Sequence, residues 1–125
     1  MKLVALLAAI VVLAAACGSN DGTLYSLDKT KACLKKDGVR LGGPLDFVAT
    51  TATGGAVQAH FDTNFVTLVF GDTVEKADNI NQAYHRFRSQ NVGIDDVLRQ
   101  DQNAVMLWHA HPSDADTSRL TACLK

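Results

Sequence analysis

Hydrophobic and polar positions divide the chain into an apolar leader and a patterned remainder. Every side chain from Leu3 to Leu13 is apolar, and Ala14-Ala15-Ala16 follow. Beyond that run the pattern takes two periods. Ser26 precedes a helix predicted over Leu27–Asp37, with Asp28 in its first turn, Lys35 and Lys36 in its last and Gly38 at its stop. Leu24, Leu27 and Leu34 share a face of it, with Cys33 beside them. Val39–Leu41 predicts a short strand, closed by the Gly42-Gly43-Pro44 turn. Asp46–Thr53 suits either a short helix capped by Asp46 or a Thr-rich strand; the helix, through Phe47, Val48 and Ala49, is preferred.

Val57, Ala59 and Phe61 alternate with Gln58 and His60, which predicts a half-buried strand. Asp62-Thr63-Asn64 turns it into Phe65–Phe70, and the two close a hairpin. Asp72 and Glu75 stand at capping-box spacing and open the strongest helix, on which Ala77, Ile80, Tyr84 and Phe87 form one apolar stripe. Asn91-Val92-Gly93 is its expected stop. Ile94, Val97 and Leu98 predict a further helical turn or two, Ala104–Trp108 a last strand, and Ser113 with Asp116 the cap of a final helix through Leu124.

These elements place residues 24–125 in the α+β class. The expected architecture is a two-layer sandwich, with a small, mostly antiparallel sheet and flanking N- and C-terminal helices. The middle six elements also have the βαββαβ order of a ferredoxin-like sheet. In that topology the passage from Phe70 through the long helix to Ala104 is a right-handed crossover between parallel strands.

Composition supports an ordered domain and removes one class of partner. The chain is 47% hydrophobic and 20% charged, which excludes a disordered, charge-dominated sequence. The formal net charge is −1 and the basic residues are scattered, so nothing resembles a nucleic-acid footprint.

The leader changes the picture of where the domain resides. Met1-Lys2 is a short basic start to an apolar run of about 14 residues, short of the ~20 that span a bilayer. Ala14-Ala15-Ala16 supplies the small side chains required near a signal-peptidase cut, so residues 1–16 are expected to be a signal peptide. Cys17 comes next. Leu13-Ala14-Ala15-Ala16-Cys17 resembles the lipobox of bacterial lipoproteins, although Ala14 stands where that class usually has a large aliphatic residue. The resemblance implies that Cys17 becomes the N-terminus, carries acyl chains and holds the protein to the cell envelope, on the outer side of the cytoplasmic membrane or in the outer membrane. Residues 17–23, rich in small polar side chains, would then be a flexible tether. Cleavage after Ala16 without lipidation, giving a secreted protein, is the alternative.

Cysteine counting fits the anchor. Of the 3 cysteines, lipidation of Cys17 leaves Cys33 and Cys123 as an even pair in an oxidising compartment. Both lie in Ala-Cys-Leu-Lys contexts near helix ends, and a bond between them would close a loop of about 90 residues.

Candidate chemistry is sparse. There is no Gly-x-Ser-x-Gly, P-loop or dinucleotide fingerprint. His109 and His111, two apart, would share a face of a continuing strand and could hold zinc or copper, with His60 or His85 as a third ligand. Solvated or capping histidines are the plainer reading. Trp108 is expected in the core or at its rim, Tyr84 and Phe87 in the core, and Asp95-Asp96 at a helix start. The leading expectation is a membrane-tethered, non-catalytic binding or envelope-interaction module whose protein or small-molecule partner the sequence does not name. The alternatives are an extracytoplasmic metal-binding protein using the His-x-His pair, and a small hydrolase with an unrecognised site.

Overall fold

A computed structural model describes residues 23–88 and 93–125; the signal segment, Cys17, most of the tether and the Asn91-Val92 helix stop lie outside the described residues. The described elements run α1 (Leu27–Lys36), β1 (Arg40–Leu41), α2 (Phe47–Thr50), β2 (Ala56–His60), β3 (Phe65–Phe70), α3 (Val74–Arg88), α4 (Ile94–Val97), β4 (Leu98–Asp101), β5 (Ala104–Trp108) and α5 (Asp114–Cys123).

The strands form one sheet in the order β1-β2-β3-β5-β4, with every neighbour antiparallel. Partners across an antiparallel ladder carry their side chains on the same face. Val57, Leu68 and Met106 therefore share one face, as do Ala59, Val66 and Trp108 one step along. Gln58, Thr67 and Leu107 share the other. The α1 and α5 side lies on the first face. Phe61 continues its parity and packs 5.5 Å from Trp108, with the Arg119 guanidinium of α5 above the Phe61 ring. The α3 side lies on the second, where Gln100 of β4 donates to Asp78 of α3 at 2.7 Å. The α+β class with flanking terminal helices is thus the fold of this chain.

Burial on both faces explains why the central strands read as continuous apolar runs. Trp108, Leu34, Leu68 and Leu120 are wholly inaccessible. Each of the three leucines contributes roughly 1.5–3 kcal/mol by leaving water. The expected disulfide is present: Cys33 near the end of α1 and Cys123 at the end of α5 have Cα atoms 5.4 Å apart.

The ferredoxin-like topology does not form. β5 lies antiparallel beside β3, so the passage through α3 is not a crossover between parallel strands. An unexpected strand reverses the direction. Only Ile94–Val97 is helical; Leu98, expected to continue that turn, starts β4, which pairs with β5 through the two-residue loop Gln102-Asn103. Gln102 takes the left-handed φ of 50° that this reversal needs.

One local expectation shifts and another holds. The first turn of α3 is capped by Thr73, whose hydroxyl accepts from Lys76 N–H at 3.1 Å, while Asp72 accepts from the Thr53 hydroxyl at 3.0 Å. Within 46–53 the preferred short helix forms over Phe47–Thr50, with the Asp46 carboxylate accepting from Ala49 N–H at 2.9 Å. The chain then turns tightly against β3. Gly54 N–H donates to Phe70 O at 2.9 Å, and a Cβ at Gly54 would lie 2.5 Å from that oxygen, so only glycine permits the approach.

Candidate functional site

The histidines named as metal ligands are held apart. Register places Arg40, His60, Phe65 and His109 side by side across β1, β2, β3 and the end of β5. Phe65 stands between the two imidazoles, stacked on His60 at 5.4 Å and on His109 at 4.5 Å between ring centroids. With strands about 4.8 Å apart, the imidazoles are about 10 Å from each other, whereas one zinc ion needs each nitrogen at about 2.1 Å. His60 Nε2 lies 2.7 Å from Gly42 O, an acceptor only, so that nitrogen carries a proton and is closed to a metal.

His111 does not share a face with His109. The strand ends at Trp108, and the chain bends where the Asn64 side chain bonds both the N–H and the carbonyl of Ala110, at 3.1 and 3.0 Å. The bend carries His111 to Asp96, its Nδ1 donating to Oδ1 at 2.6 Å. His85 serves Asp95 in the same way, with Nε2 at 3.0 Å from Oδ1. The two carboxylates expected at a helix start do open α4, and each is held by a histidine from another element. Among the described residues, no group of three or more His, Cys, Asp or Glu side chains could hold a metal ion. The His60, His109 and His111 ligand set is therefore not assembled.

A different constellation stands on the α3 side of the sheet. Asp46, the cap of α2, accepts the Tyr84 hydroxyl at both carboxylate oxygens, 3.0 and 2.9 Å. Tyr84 is buried on α3, as its place in the stripe predicts. Phe87, the next stripe residue, is not: it is 67% exposed, and Phe47 at the start of α2 is 75% exposed. Asp46, Phe47, Val48, Tyr84 and Phe87 line one cleft of about 360 Å³. A second, more polar cleft of about 200 Å³ adjoins it through Asp46 and reaches Gln58, Thr67, Phe65 and His109. The sequence contained one signal of this arrangement. At 100° per residue Phe87 points about 80° from Ala77, at the edge of the stripe rather than its centre.

Comparison with known protein families, curated proteins and solved structures finds no match to this chain. The site must be interpreted from its own geometry. Its two aromatic rings stand in solvent rather than in the core. They also lie at a particular end of the domain. Tyr25, at its start, is bonded to Asn103 beside Gly71, at the end of β3 from which α3 departs. α3 then runs about 20 Å to Phe87, back toward the Phe65 end of the sheet.

Proposed function

We propose that the chain is a membrane-tethered extracytoplasmic binding module, anchored through an acylated Cys17, whose recognition surface is the Asp46–Tyr84 cleft. The observation that carries this reading is that cleft itself, lined by Asp46 and Tyr84 and flanked by the exposed rings of Phe47 and Phe87. A flexible tether leading into Tyr25 would leave the cleft free to meet a partner. The Cys33–Cys123 disulfide suits an oxidising compartment. No helix among the described residues is long and apolar enough to cross a membrane, so attachment would rest on the N-terminal lipid.

The test is the intact mass of the protein extracted from membranes, before and after reduction. The expected product begins at Cys17, carries acyl mass and gains two hydrogens on reduction. An unacylated chain recovered from the soluble fraction overturns the anchor and indicates a secreted protein.

A further inference from the structure

The Asp46–Tyr84 cleft combines one carboxylate with three aromatic side chains, and that combination selects a ligand. We propose that it binds a quaternary ammonium group, an inference that rests on the cleft being the recognition surface. Among the described residues, the donors to the Asp46 carboxylate are neutral, the Tyr84 hydroxyl and the Ala49 N–H. Among the described residues, no lysine, arginine or histidine forms an ion pair with it. Asp46 lines the cleft together with Phe47, Tyr84 and Phe87, so a cation seated there would meet a carboxylate and aromatic rings at once.

Aromatic faces attract cations through their quadrupole, most strongly a cation that sheds water easily. A primary ammonium brings three N–H groups that each need an acceptor, and here the carboxylate already accepts from two donors, the Ala49 N–H and the Tyr84 hydroxyl shared between its oxygens. A quaternary ammonium has no N–H, is weakly hydrated and is coated in methyl groups, which pack against Phe47, Val48 and Phe87. A cleft of about 360 Å³ is ample for such a head group. The charge of Asp46 then separates this cation from a neutral group of the same shape.

The experiment is isothermal titration of the full membrane-extracted chain, in non-ionic detergent, with choline chloride and with its neutral isostere 3,3-dimethylbutanol. Saturable choline binding at least fivefold tighter than the isostere is expected. Asp46→Asn, which keeps the helix cap and an acceptor for Tyr84, should weaken choline by about fivefold or more and leave the isostere unchanged. Phe87→Ala, at an exposed position that the fold does not need, should weaken both. Choline displayed on phosphatidylcholine vesicles distinguishes the source. Competition by vesicles supports the class with a lipid head group as ligand, and its absence beside free-choline binding supports the class with a soluble one. Equal binding of choline and isostere, both lost in Phe87→Ala, overturns the cation and leaves the cleft as a recognition surface. No binding of either, with wild-type melting behaviour, overturns the ligand class and the cleft together, while the anchor stands or falls on the mass measurement alone.

Discussion

The side chain of Asn103 completes both backbone hydrogen bonds of Tyr25, whose N–H donates to Oδ1 at 2.8 Å and whose carbonyl accepts from Nδ2 at 2.9 Å. Nδ2 also donates to Gly71 O at 2.9 Å, and Asn103 is 1% exposed. One loop residue therefore ties the entry of the domain, the end of β3 and the β4–β5 turn together. Buried backbone groups stripped of partners cost about 1–3 kcal/mol each. Asn103→Ala should destabilise the domain by about 3 kcal/mol or more in urea unfolding. A loss below about 1 kcal/mol would mean that water or local rearrangement satisfies these groups without the amide.

The disulfide joins two helices that also touch through other groups. Arg119 of α5 donates to the Asp37 carboxylate at 3.1 Å and to its carbonyl at 3.2 Å. That pair is exposed and contributes little, so the covalent link carries the α1–α5 contact. With a sequence separation of 90 between the cysteines, the chain-entropy model assigns the bond roughly 4 kcal/mol. Cys33→Ser should lower the melting temperature by many degrees under non-reducing conditions. An unchanged melting temperature would show that α5 docks through Leu120, Leu124 and the Lys125 backbone bonds to Ser26 and Thr30 without the covalent link.

How far the sequence could be read depends on where each element gets its stability. α1 and α5 were legible because their caps are local: Ser26 accepts from Lys29 N–H and Ser113 from Asp116 N–H. The β2–β3 hairpin was legible because its alternation and its turn agree. β4 was not, because Arg99, Gln100 and Asp101 of this edge strand carry no apolar alternation, and its pairing with β5 is what makes it a strand. Losing that strand also lost the topology, since the antiparallel β3–β5 pairing is a tertiary choice invisible to periodicity. The functional residues failed differently. Asp46 was correctly assigned as a cap, but its second partner lies 38 residues away, and no local pattern reports the Tyr84 contact. The histidine pair misled because its shared face depended on a strand that the Asn64–Ala110 bonds end one residue too soon.

That separation of the histidines gives a direct check on metal binding. Zinc or copper stabilises a protein by binding the folded state, and the gain rises with affinity. With His60 bonded to Gly42 O and His109 packed on Phe65, removing His109 should not change any response to metal. Thermal melting with and without zinc is expected to give the same shift in the wild type and in His109→Ala. A zinc-induced rise present only in the wild type would mean that the bend at Ala110 rearranges to bring the imidazoles together.

His85 supplies the pH dependence most open to measurement. Its Nδ1 faces Asn81 O at 2.9 Å and its Nε2 faces Asp95 Oδ1 at 3.0 Å. Both partners are acceptors, so only the doubly protonated ring can donate to both. The hydrogen bond to the Asn81 carbonyl, followed by that to Asp95, raises its pKa above the ordinary value of 6.5. A raised pKa in the folded state favours folding when the ring is charged. The stabilisation is fully present below about 6.5, the value expected of the unfolded chain, and is lost as pH rises through the higher folded value. The pair is largely exposed, so the effect is small and salt weakens it. His85→Gln should therefore lower the urea midpoint at pH 5 and have less effect at pH 8.5, with the difference shrinking in high salt. An equal loss at both pH values would assign the role of His85 to neutral hydrogen bonding, and an inverted dependence would mean that Asp95 does not hold the charged ring.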